Sequence, residues 1–340
     1  MRPHPVRTLA ALALTGAGLL GLQARAPAGG IFFSTKPLPL LVPCPAANPP
    51  TEAKIKLGKE LYFDKRLSAD SSISCATCHD PAQGWADPRP VSTGVGGAKG
   101  GRNAPTVLNT GYNPIQFWDG RAPTLEAQAV GPIQNPVEMK MTMPLAISRL
   151  AGIRGYAEEF QAVFGAGPSE ETIGKAIAAF ERTVVSRNSP FDRYLAGEHS
   201  AMSAAAVRGM RVFRGHGHCA ACHSGPNLTD NRFHNLGIGM HAKQPDVGRY
   251  KVTQKLRDYG AFKTPTLRSI ALTAPYMHDG SLKTLEEVVS VYDRGGHPNP
   301  HLDPLVVPLR LTRGEKADLV EFLKALTGED LGITEPELPR

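Results

Sequence analysis

A chain of 340 residues, 41% hydrophobic and 20% charged, has enough apolar surface for two modest cores and is too apolar for an unfolded polyelectrolyte. Its 35 Gly and 30 Pro point to long, fixed loops between helices rather than to disorder. The formal charge of +7 gives no case for a nucleic-acid partner, because part of it belongs to a segment that is expected to be removed.

That segment comes first. Arg2 and Arg7 precede an apolar run, Leu9–Leu22, which ends in Ala26-Pro27-Ala28. A basic start, a short apolar middle and a small-residue exit predict a secretory signal peptide over residues 1–28. The run is short for a membrane span, so no span is expected after cleavage, and the periplasm is the expected compartment. Cleavage removes Arg2, Arg7 and Arg25 and no acid, which takes the formal charge from +7 to +4.

Residues 29–50, with Pro37, Pro39, Pro43, Pro45, Pro49 and Pro50, read as an extended leader. Thr51 is placed to cap a helix over Glu52–Phe63 with Ile55, Leu57 and Leu61 on its inner side. The string Cys75-Ala76-Thr77-Cys78-His79 follows, then a glycine-rich loop over Gly94–Gly101. Helical periodicity returns at Leu145–Leu150, Tyr156–Phe164 and Glu170–Ser186. Ser189-Pro190 and Ala196-Gly197-Glu198 suggest a division into domains 51–195 and 196–340. A helix over Ser203–Phe213 leads into Cys219-Ala220-Ala221-Cys222-His223. Gly58-x-x-Leu61-x-Phe63 is loosely echoed by Gly209-x-x-Val212-Phe213, a weak repeat, with 144 positions between Cys75 and Cys219. Thr312–Glu315 forms a capping box for a last helix to Leu326, stopped by Gly328, with Leu319, Phe322, Leu323 and Leu326 as its stripe. Alternating strand patterns are scarce, so the expected fold is mainly α, with two cytochrome c-like domains.

Each cysteine string reads C-x-x-C-H, the attachment signature of a covalent haem c. Residues three apart share a helical face, so both thiols reach one edge of a porphyrin while the adjacent His79 or His223 reaches the iron. A thioredoxin-like site lacks the strand–helix alternation around it, one shared zinc would need far closer pairs, and two disulfides would not call for His after each second Cys. Cys44 is left as a free or buried thiol with no assigned role. His216 and His218 read as surface histidines of a polar loop, as do His234, His241, His297 and His301, and Lys243–Arg257 reads as a solvated loop.

Arg102-Asn103-Ala104-Pro105-Thr106, Phe117-Trp118-Asp119-Gly120-Arg121, Asn135-Pro136-Val137-Glu138-Met139 and Pro275-Tyr276-Met277-His278-Asp279-Gly280 give the chain a further resemblance. From about residue 52 to 327 it resembles the bacterial dihaem cytochrome c peroxidase and MauG family. The resemblance implies a peroxide-reactive first haem on His79 and a second haem on His223 that relays or stores electrons. It implies Glu138 and Gln128 over the open face of the first haem, and Trp118 as an electron bridge. It also implies a calcium ion held by Asn103 and the backbone carbonyls of Thr273 and Pro275, a donor set that suits a hard cation. It allows a homodimer.

Two departures from the family pattern bear on mechanism. Classical members carry in the glycine-rich loop a His that blocks the first haem, and that place here holds Val95. The first haem is therefore expected to be open without reductive activation. Where the peroxidases carry a Met ligand to the second haem, this chain has Val291-Tyr292-Asp293, and Tyr292 resembles the Tyr ligand of MauG, with Met277 as rival and Met240 behind it. A phenolate favours ferric iron, so a low-potential second haem follows. Glu138 is the expected proton shuttle, since a carboxyl beside an apolar haem face has a raised pKa. Three functions stay open: a periplasmic peroxidase fed by a small cytochrome c or cupredoxin; a MauG-like oxidase of another protein's side chains; and a non-catalytic electron carrier. The MauG route resembles hole transfer through a surface Trp ahead of the second haem string, and Gly217 holds that place here.

Overall fold

The computed structural model describes Met1 and residues 36–340, so the apolar run Leu9–Leu22 and the exit at Ala28 lie outside the described residues. Among the described residues the chain is mainly helical: α1 (Glu52–Phe63), α2 (Cys75–Cys78), α3 (Leu125–Gln134), α4 (Met143–Ala151), α5 (Arg154–Phe164), α6 (Glu170–Glu181), α7 (Pro190–Leu195), α8 (Ala204–Arg214), α9 (Tyr250–Thr253), α10 (Leu285–Asp293) and α11 (Arg313–Lys324). One antiparallel pair, β1 (Phe233–His234) and β2 (Phe262–Lys263), sets Phe233 opposite Lys263. No helix among the described residues is long and apolar enough to cross a membrane.

Two hydrophobic cores form, one over residues 57–184 and one over 191–326. Each is built on a crossed helix pair, α1 with α6 and α8 with α11. The crossings explain the glycine echo. A Cβ on Gly58 would stand 1.9 Å from the Ala176 carbonyl oxygen, and one on Gly209 would stand 1.9 Å from that of Asp318. Backbones this close admit only glycine. Tyr62 meets Phe180 edge-on and both tilt against Trp85 in the first core, and Phe191 and Phe213 each meet Phe322 edge-on in the second.

A second repeat shows in the backbone, and in the sequence as Pro105-Thr106, Asp119-Gly120 and Thr124-Leu125-Glu126 recurring as Pro265-Thr266, Asp279-Gly280 and Thr284-Leu285-Glu286. Thr124 and Thr284 cap α3 and α10 with their hydroxyls, the Gln116–Ala122 bridge matches the Tyr276–Leu282 bridge, and three pairs share left-handed φ angles. These are Asn109 (62°) with Ser269 (56°), Phe117 (68°) with Met277 (72°), and Gly120 (65°) with Gly280 (63°). Every pair is separated by 160 positions. By the same offset Asn103 corresponds to Lys263 and Trp118 to His278. The Asn103 N–H donates to the His278 carbonyl at 2.8 Å, and the Lys263 N–H donates to the Trp118 carbonyl at 2.7 Å. The two halves thus grip each other through equivalent bonds, as the partners of a two-fold interface do.

Four local expectations are corrected. The expected leader is, from residue 36 on, a packed strap: Arg187 donates to the carbonyls of Leu38 and Leu40, Arg182 to that of Pro43, and buried Asn48 to Glu126. The helix expected to reach Ser186 stops at Glu181, because Asn109 takes the next backbone groups, its N–H donating to Val184 and its Oδ1 accepting from Ser186. The last helix ends at Lys324, and Gly328 is a point of close approach, where a Cβ would lie 2.2 Å from Ser186 Oγ. Nor is Lys243–Arg257 simply solvated. Asp246 pairs with Arg102 at 2.5 Å, and Arg249 donates to the carbonyls of Asp119 and Gly120, tying the segment to the first half.

Candidate active site: two histidine-bearing cavities

The two C-x-x-C-H strings line two different cavities, with about 1650 Å³ of empty space at Cys75, Cys78 and His79 and about 1750 Å³ at Cys219, Cys222 and His223. The separation of the two strings leaves no shared zinc site. No two cysteines are joined among the described residues, and Cys44 is an exposed free thiol.

In the first half α2 is a single turn opened by a Ser74–Thr77 capping box, which sets Cys75 and Cys78 on one face. His79 Nδ1 lies 2.9 Å from the Pro105 carbonyl oxygen, which can only accept, so Nδ1 carries the proton and Nε2 keeps its lone pair for a metal. In the second half a 3₁₀ turn over Cys219–Ala221 presents the thiols, and His223 Nδ1 donates to the Leu228 carbonyl at 3.1 Å. Burial lowers the pKa of both imidazoles, that of His223 to about 4, so both rings are neutral at neutral pH. Paired thiols with an oriented neutral His fit a covalent haem in each cavity.

What else faces each cavity differs. Glu138, Gln128, Pro132 and Asn135 line the first. The Glu138 carboxylate accepts from Asn135 Nδ2 at 2.6 Å, and burial raises its pKa against the opposing pull of Asn135 and Arg121. Val95 packs into the first core and does not line the cavity, while its N–H donates to the Glu138 carbonyl at 2.8 Å. Tyr292 and Met277 both line the second cavity. Burial holds the Tyr292 phenol well above its ordinary pKa. Met240 does not line it; its sulfur sits against Gly260. At the 160-residue offset Tyr292 corresponds to Pro132, the eighth residue of α10 against the eighth of α3.

Trp118 lines both cavities, and its indole N–H donates to the Asn103 carbonyl at 2.9 Å. Asn103, Thr273 and Pro275 all line the second cavity, and Asn103 the first as well. The Asn103 side-chain amide donates to the Arg89 carbonyl at 3.0 Å, which leaves its oxygen as the available donor.

Four further groups escaped the sequence reading. Glu181 lines the first cavity, 5% exposed, with Oε2 unpartnered among the described residues, and burial raises its pKa to about 8. The matched crossings at Ala176 and Asp318 align it with Leu323, which lines the second cavity. His234 is no surface histidine: its nitrogens lie 2.7 Å from Asp303 and 3.1 Å from Asp230. Burial lowers its pKa, but bonds to Asp230, Cys222 and Asp303 prevail and push it up to about 11. His278 stacks on Phe262 at 3.6 Å, and burial lowers its pKa to about 4. Lys263, 8% exposed, lines the second cavity, and burial lowers its pKa to about 8. His216, His218 and His241 are exposed as expected, whereas His297 and His301 are half-buried. Only the 160-residue repeat would have flagged Lys263 and His278 in advance, as counterparts of Asn103 and Trp118.

Residues 52–200 match the family model described as di-haem cytochrome c peroxidase. The methylamine utilization protein MauG of Methylorubrum extorquens is 45% identical over 309 residues, which cover 88% of this chain and 86% of the relative. The cytochrome-c peroxidase IdrP1 of Denitromonas iodatirespirans is 41% identical over 360 residues, 96% of each chain. Among solved structures, a MauG-like protein associated with microbial copper homeostasis superposes with a TM-score of 0.78 at 36% identity, covering 86% of this chain and 95% of that one.

Proposed function

The chain belongs to the di-haem cytochrome c peroxidase family, and on that premise we propose that it is an exported, periplasmic peroxidase that reduces hydrogen peroxide to water with electrons from a small cytochrome c or cupredoxin. In this reading residues 51–195 and 196–340 are its two haem domains. When bound, the haems supply the redox chemistry, a reactive iron at His79 and an electron store at His223. The side chains do the rest. Reducing one peroxide to two waters takes up two electrons and two protons. The Glu138 carboxyl, held by Asn135, takes a proton from one peroxide oxygen and returns it to the other, which leaves as water. Gln128 orients the peroxide without titrating. Trp118, which lines both cavities, bridges them for electrons. Asn103 and the carbonyls of Thr273 and Pro275 would hold a calcium ion.

The observation that carries the reading is the exchange at one equivalent position. Tyr292 offers the second cavity a phenol oxygen, whereas Pro132 has no side-chain donor atom for a metal in the first. With Val95 turned into the core, that loop position would supply no ligand to an iron held by His79, so no reductive switch would be needed. A low-temperature electron paramagnetic resonance spectrum of the fully oxidised protein tests this. One high-spin and one low-spin haem are expected, and two low-spin signals would make the chain an electron carrier. Glu138→Gln is expected to slow peroxide turnover by about 10²–10⁴-fold with both haem spectra intact.

The 45% identity to a MauG favours a second reading, oxidation of another protein's side chains. Against it, Gly217 stands at the place of the expected surface Trp, and Trp85 is only 4% exposed.

A further inference from the structure

Lys263 is a buried cation with no anion paired to it among the described residues. Its backbone is fixed by pairing with Phe233 and by the N–H bond to the Trp118 carbonyl at 2.7 Å. Of its three ammonium hydrogens one is used, in a 3.1 Å bond from Nζ to the carbonyl of the next residue, Thr264. No carboxylate forms an ion pair with it among the described residues; Asp230 acts on it only at longer range and is already bonded to His234. An unpaired ammonium out of water is strongly unfavourable, and the usual remedy is a carboxylate.

The cavity beside it calls for such a pair. Lys263 is the one Lys or Arg lining the second cavity among the described residues, while Arg102, Arg121 and Lys251 line the first. Nor does the fold require a cation there, since the equivalent position in the first half is the neutral Asn103. We propose that Lys263 is the carboxylate anchor of the second cavity, its ammonium taking one propionate of the haem attached at Cys219 and Cys222, beside Trp118. This rests on the two-haem reading above. The paired charges fix the electrostatics of the second iron, because a propionate left unpaired stabilises the ferric state.

The test uses the full-length, haem-loaded protein with Lys263→Gln, Lys263→Met and Lys263→Arg. Haem per chain is counted by pyridine haemochrome, and the potential of each haem is read by spectroelectrochemistry. Gln and Met are expected to keep two haems and to shift the second haem's ferric-to-ferrous ratio at least about tenfold toward ferric, a drop of about 59 mV for one electron. The first haem stays put and Arg restores the second. Failure of Gln and Met to accumulate, with Arg intact, supports the anchor equally. Unmoved potentials in Gln and Met, an Arg shift as large as theirs, or failure of all three overturn it. Fewer than two haems in the unsubstituted protein would instead overturn the two-haem reading, and the anchor with it.

Discussion

Gly94→Ala perturbs the candidate active site without replacing any side chain that meets peroxide. Gly94 has φ −90° and ψ −172°, an extended geometry open to alanine, so the effect is purely steric. The new Cβ would stand 2.2 Å from the Val137 carbonyl oxygen and 2.7 Å from that of Glu138. Real Cβ contacts stay beyond 3.0 Å, so the Val137 carbonyl must retreat by about 0.8 Å. The retreat also loosens the 2.8 Å bond by which the Val95 N–H holds the Glu138 carbonyl. A misplacement near 1 Å costs on the order of 10²-fold in rate when the displaced group handles the reacting proton. Steady-state peroxide consumption with a saturating electron donor should therefore fall roughly 10- to 100-fold. Haem content and resting spectra should not change. Val95→Ala keeps the amide and serves as control, with turnover near that of the unsubstituted protein. A folded, fully loaded Gly94→Ala protein with normal turnover would refute the argument that this loop positions Glu138.

Tyr292→Met should raise the second haem's midpoint potential, because a thioether favours ferrous iron where a phenolate favours ferric. An unmoved potential, together with a shift in Met277→Leu, would assign the ligand to Met277. Gly58→Ala and Gly209→Ala should each lower stability by at least about 1–3 kcal/mol in urea unfolding, since each Cβ lands 1.9 Å from a backbone oxygen. Gly167→Ala, with open space around it, is the neutral control. Glu181 has a native pKa near 8, above its ordinary 4.5, so the stability its protonated form contributes is complete below 4.5 and is lost as pH rises through 8. Glu181→Gln cannot ionise, and its stability relative to the unsubstituted protein should climb between pH 5 and 8 by on the order of a few kcal/mol. A difference that stays flat with pH would mean the carboxyl finds a partner in the loaded cavity.

How much was legible can be read residue by residue. Cys75, Cys78 and His79, with Cys219, Cys222 and His223, announce themselves because attachment needs fixed spacing over one turn, and spacing is a one-dimensional property. The caps at Thr51 and Thr312 were legible for the same reason, since capping joins residues three apart. Helix ends set by distant partners were not. The stop at Glu181 depends on Asn109, and the place of Gly328 depends on Ser186.

Sequence alone determined the two attachment turns, the helical character and the family likeness, all carried by contacts within a few residues or by motifs that keep their order. Only the tertiary structure decided that Glu138 shares a cavity with His79, that Val95 turns away from it, that Trp118 borders both cavities, and that Lys263 and Glu181 are buried titratable groups rather than solvated charges. The reason is physical. Desolvation and convergence in space arise when segments 50 to 160 positions apart close on one another, and a side chain's chemistry is set by that closure rather than by its neighbours in the chain.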